Sequence, residues 1–215
     1  MRELLKRKTA TGALSAGFIV SALCIPFLLT TTPPGTLRAL RIAMLFPLAI
    51  ILFQIGLAWT PLAEGRDMLR KDLPSATYLR LALAGIGLAV LGILIVDPLL
   101  ARALPQYFPK SLGRLFCGLP WVALFQPLVF VVGCYAFTAR LTRRPVAAVA
   151  AVILGHQGLL LLQLNDGIPV TLAAGLLIVS GAYALVLGAS YRQYGYAGPA
   201  IIALISQLRH VLRFL

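Results

Sequence analysis

What most constrains this chain is a series of seven apolar segments, each near the ~20 residues an α-helix needs to cross the hydrocarbon core of a bilayer. They cover 10–30, 40–62, 80–98, 115–138, 145–164, 168–190 and 198–214. In lipid no water is available to bond a bare N–H or C=O. Apolar segments of this length are therefore expected to form helices, which bond their own backbone. The expected fold is all-α, a polytopic transmembrane helical bundle of six to eight spans. Composition agrees. Of 215 residues, 60% are hydrophobic and 12% charged, against about 25% charged in a soluble domain. There is too little charge to clothe a water-facing surface, so the chain reads as a single integral membrane domain over 1–215.

Pro26 interrupts the first segment and Pro47 the second. Both are tolerable where neighbouring helices bond the freed carbonyls. The N-terminus, Met1-Arg2-Glu3-Leu4-Leu5-Lys6-Arg7-Lys8, resembles a signal-peptide n-region, but no A-x-A cleavage site follows its apolar run. A retained first membrane helix is expected. The last segment carries Arg209, His210 and Arg213. It is either a span ending at the interface or an amphipathic helix lying on it.

The net charge is +13. The bases fall in short loops, where they set orientation and meet anionic headgroups. With an inside N-terminus, the inside loops hold twelve of them, including Lys6, Arg70, Arg140 and Arg192; the outside loops hold seven, including Arg38, Lys110 and Arg209. The bias favours that orientation. The loop Glu64 to Tyr78 mixes charges at helical spacing and reads as a short solvated helix or a partner-docking site. The 99–113 loop, with Pro105, Tyr107 and Phe108, is expected at the interface. No aromatic-basic stripe, CxxC or helix-turn-helix pattern points to nucleic acid. Cys24, Cys117 and Cys134 lie in apolar runs without zinc spacing and read as small buried hydrophobes.

Polar groups at membrane depth are costly, and so are functional candidates. Gln54, Gln126, His156, Gln157 and Gln163 lie within spans. Asp97 and Asp166 lie at span ends, and Ser206, Gln207 and His210 on the last segment. Asp166, beside Gly167 and Pro169, reads as a turn and cap. Gln126 precedes Pro127 and is placed to repair the bonding that Pro127 disrupts. His156 is the deepest ionisable group. Its readings are an interhelical hydrogen bond, a metal, haem or pigment ligand, or proton and substrate handling. No second ligand stands at i+3 or i+4, the spans hold no clear carboxylate to act as a base, and no H-E-x-x-H or Walker loop occurs.

The run Gly181-Ala182-Tyr183-Ala184-Leu185-Val186-Leu187-Gly188-Ala189-Ser190-Tyr191-Arg192-Gln193-Tyr194-Gly195-Tyr196-Ala197-Gly198-Pro199 resembles a helix end, basic turn and Gly/Pro helix start of the CPBP family. These are the CAAX-protease and bacteriocin-processing membrane proteins, also called Abi. The resemblance covers roughly 115–214 and divides the chain into N-terminal spans, 1–114, and a CPBP-like helical core, 115–215. For active members it implies a metal-dependent endopeptidase in which Glu activates water and histidines hold the metal. Their Glu-Glu pair and following Arg would fall on Gln126-Pro127-Leu128-Val129-Phe130-Val131, which carries neither carboxylate nor Arg. Their Phe-x-x-x-His falls on Val152 and His156. Their His-x-x-x-Asn falls on Ala203 and Gln207, so that histidine is lost. Of the catalytic positions only His156 is kept, which implies the scaffold without the chemistry.

The sequence therefore leads to a non-catalytic integral membrane subunit, scaffold or assembly factor, in contact with lipid and other membrane subunits. Leu-, Ala- and Arg-rich usage points to a bacterial inner membrane. Gly85, Gly87, Gly92, Gly175 and Gly181 suit close helix contact. A divergent metalloprotease using His156, and a small transporter or haem- or pigment-binding protein, are the alternatives. No cofactor is named by the residues.

Overall fold

The computed structural model describes residues 6–70, 73–104, 108–164 and 168–215. Six helices are long and apolar enough to cross a membrane: α1 Arg7–Thr31, α2 Thr36–Glu64, α3 Ser75–Ala101, α4 Leu112–Thr142, α5 Pro145–Gln163 and α6 Val170–Tyr194. A shorter α7, Ala197–Gln207, runs on as a 3-10 helix over Leu208–Arg213. Among the described residues there is no strand. The protein is a multi-pass, all-helical membrane bundle. The turn and cap expected at Asp166 lie outside the described residues.

Hydropathy explains the faces. Every span turns large apolar side chains outward, such as Phe18, Ile51, Leu83, Phe137, Leu154 and Ile178. In water such a surface would drive association; in lipid it is the solvated surface. One core lies inside, drawn from both halves of the chain: Ala13, Phe53, Leu81, Leu128, Val152, Leu187 and Ile202.

Small residues set the closest approaches. A side chain at Gly17 would come within 2.8 Å of the Ile50 backbone, so α1 and α2 pack nearly backbone to backbone. Ser21 donates across the same seam to the Leu45 carbonyl at 3.3 Å. Arg38 and Arg41 reach back to Thr32 and close the turn that joins the two helices. Gly181 packs against Gln157, and Gly188 against Val149 and Val152, in the antiparallel α5–α6 pair.

The loop after α2 is not helical over its described residues. It is pinned instead to the α6–α7 turn. Met68 is fully buried, its carbonyl accepts from the Tyr196 N–H at 2.9 Å, and Arg70 donates to the Gln193 carbonyl. Gly195 makes this possible. Its φ is +69°, and a side chain there would run into the Met68 carbonyl oxygen. Helical charge spacing was outweighed by these backbone contacts. The same end is bonded through Glu64, which accepts from the Tyr135 hydroxyl at 2.6 Å and lies 3.7 Å from Arg192.

The seventh apolar segment does not lie along the outside of the bundle. Gly198, Pro199, Ile202, Ala203, Ser206 and His210 bury one side of it, packed against α3, α4 and α6. Gly85 meets Ile202 and Ile205, and Gly92 meets Arg209, so α7 runs parallel to α3. Eleven α-helical and six 3-10 residues span about 28 Å, close to the ~30 Å of a hydrocarbon core. The segment thus runs inside the bundle from the Met68 end to the Asp97 end.

Gly17→Leu is expected to destabilise the purified protein by about 1–3 kcal/mol through overpacking, read as a lower unfolding temperature in detergent. Gly87, beside which nothing lies within 4 Å, should accept leucine without loss. Equal effects at the two sites would contradict the packing described.

Candidate functional site

α4 has the least regular backbone of the six spans. It is α-helical to Pro120, π-helical over Trp121–Phe125 and again over Pro127–Gly133, and α-helical from Cys134. Pro127 has no N–H to give, so the ladder widens around it. Wide turns of this kind often accompany functional sites. Gln126 sits between the two π stretches. Its side chain does not bond locally to repair the ladder; it lines a cavity.

That cavity has a volume of about 240 Å³ and lies between α3, α4, α5, α6 and α7. Its polar lining is Gln126, His156, Gln163, Ser180, Tyr183, Ser206, Gln207 and Arg209. Its apolar lining includes Leu88, Val96, Leu100, Leu160 and Leu176. Three of the four residues singled out in the sequence, His156, Gln126 and Gln207, therefore meet at one place, although 81 positions separate the first from the last. Gln157 does not join them; its amide donates to the Leu177 carbonyl at 3.4 Å. Gln54 does not line the cavity either.

His156 makes no interhelical hydrogen bond, contrary to one of its expected readings. Its Nε2 is buried without a partner among the described residues. The ring lies 5.1 Å from the Phe130 ring and 6.1 Å from that of Tyr183, centroid to centroid. The neighbouring Gln157 makes the cross-helix bond instead. No three His, Cys, Asp or Glu side chains among the described residues come together to hold a metal. The three cysteines are free thiols, Cys24 buried and the other two half-buried.

One feature escaped sequence reasoning. Arg209 donates through Nε and Nη2 to the Asp97 carboxylate at 3.2 and 3.1 Å, and through Nη1 to the Ser206 carbonyl at 2.7 Å. Its side chain is 8% exposed and that of Asp97 13%. His210 Nδ1 lies 3.7 Å from the other Asp97 oxygen, too far for a hydrogen bond, and has no hydrogen-bond partner among the described residues. Phe108 takes the His210 ring edge-on and the Arg213 guanidinium at 4.0 Å over its face. Gly92 allows the clasp. A side chain there would fall 2.6 Å from Arg209 Nε. The sequence offered a signal in Asp97, one of only six acidic residues and placed at a span end. Its partner stands 112 positions away.

Removing one half of this clasp strands the other charge away from water. Asp97→Leu is expected to cost about 3–5 kcal/mol, whereas Asp97→Leu with Arg209→Leu should cost far less. Equilibrium unfolding of the variants checks this, and a double variant weaker than either single one would refute the pairing. Compared with known proteins, the chain matches no family model, no curated protein and no solved structure.

Proposed function

We propose that this chain is a non-catalytic subunit, scaffold or assembly factor of a larger membrane complex, on a helical core laid out like that of the CPBP family. The observation that carries this reading is the content of the cavity. The positions on which the family's three motifs would fall include Gln126, His156 and Gln207, and all three line it. Water activation at such a site needs a group that takes a proton. A glutamine amide cannot, and no carboxylate lines the cavity among the described residues. Asp97 stands just beyond it, engaged by Arg209.

The partner reading draws on α3. This helix packs on the bundle chiefly through α7, using Leu81, Gly85 and Gly92. Away from that face it presents Ala84 and Gly87, exposed beside Leu83 and Ile86, with open space next to Gly87. Small residues on a free helix face let a second helix approach closely. The charge bias supports a cytoplasmic N-terminus, and the composition supports a bacterial inner membrane.

Purification from native membranes in mild detergent is expected to bring down a stoichiometric membrane partner. Gly87→Leu should release it without lowering the unfolding temperature. A protein that is strictly monomeric under every gentle condition would overturn the proposal.

A further inference from the structure

The cavity poses a problem of unmet bonds. The side chains of Gln126, Gln163 and Gln207 line it and make no hydrogen bond to protein among the described residues, and neither does His156 Nε2. Gln126 and His156 lie within their spans, where an amide or imidazole without a partner is costly, and Gln163 and Gln207 close the same space at the ends of their helices. Four such groups facing one space call for an occupant that bonds them.

We infer that the cavity binds the head of a neutral, lipid-soluble molecule carrying carbonyl oxygens, such as a quinone ring or the ester head of a diacylglycerol. Charge decides the neutrality. Arg209 is the one charged group on the wall among the described residues, and its Nε and Nη2 are spent on Asp97 and its Nη1 on Ser206. No unmatched cation is left for an anion. Each carboxamide presents an N–H₂ beside its own C=O, and a neutral imidazole one N–H, so donors able to take a ligand carbonyl stand on several sides of the space. The leucine-rich remainder of the wall disfavours a freely hydrated solute.

Size and access fix the mode of binding. Pockets that enclose a whole small molecule run to about 300–1,000 Å³. At about 240 Å³ this one takes a head group and leaves a tail outside. The route for the tail is the seam between α3 and α6. Most of α3 packs on α7 rather than on α6, and the two spans meet near Leu99 and Gly175. This inference does not depend on the chain having a protein partner.

The full-length protein, in phosphatidylcholine nanodiscs, is titrated separately with a short-chain ubiquinone analogue and with dioctanoylglycerol, and heat of binding is recorded. Saturable binding of at least one probe is expected, weakened about tenfold for each hydrogen bond lost in Gln126→Leu and His156→Leu. Gly87→Leu should bind as the wild type does. Saturation by one probe alone names the source, and saturation by both supports the shared carbonyl chemistry. Without probe, the two variants should unfold at or above the wild-type temperature, because each removes an unbonded polar group. Should either fail to fold, Gln207→Leu and mass spectrometry of lipids retained by the wild type give the same reading. Failure of both probes to saturate, or affinities unchanged in all cavity variants, overturns the inference.

Discussion

The Asp97–Arg209 clasp is the interaction on which the rest of this bundle leans. Two opposite charges withdrawn from water attract strongly, but desolvation opposes that gain, so such pairs chiefly fix which arrangement forms. Here the arrangement is the parallel register of α3 and α7. Gly85 and Gly92 bring the two helices together, the guanidinium lies across Gly92, and the carboxylate receives it one turn further on. The π-helical stretch Gly92–Val96 sits at the same spot, so backbone and side chains both depart from regular helix where the charge is held. Because α3 is joined to the bundle mainly through α7, the clasp also positions one wall of the cavity.

Much of the architecture could be read from hydropathy alone. A bilayer requires long apolar stretches and permits few ways to bond the backbone within them, so six of the seven segments became spans near the expected positions. The helices continue through Pro26, Pro47 and Pro61. The misreadings arose where apolar content did not decide. The Glu64–Tyr78 loop carries charges at helical spacing, yet the Met68 carbonyl and the Arg70 side chain, bonded to the α6–α7 turn, hold the described residues between α2 and α3 in an irregular path. The last segment, short and charged at its end, reads either as a span or as a helix on the interface. Burial of Ile202, Ala203 and Ser206 against several helices gives it an interior place that local sequence could not reveal.

The site was legible as residues but not as a site. Polar side chains are rare in these spans, which is why Gln126, His156 and Gln207 stood out. That they share one cavity depends on helix order and on the π-helical turns around Pro127. Pairing between Asp97 and Arg209 was hidden for a related reason. Both were noticed as end-of-span charges, but only the parallel packing of two helices far apart in sequence makes them neighbours. Gly92 was read as a contact-forming glycine, and the atom it makes room for proved to be an arginine nitrogen rather than another helix backbone.

The position of α7 in the chain has a bearing on how the protein is made. It follows all six spans, yet it is the principal partner of α3. During synthesis α3 therefore emerges before its principal partner, and Asp97 before its guanidinium, while α4, α5 and α6 follow. Only when the ribosome has released α7 can the carboxylate find its guanidinium and the cavity acquire its back wall. Assembly thus has a late closing step set by chain order. A nascent chain stalled before residue 197 would expose an acidic group and a poorly held helix to the membrane's quality-control machinery.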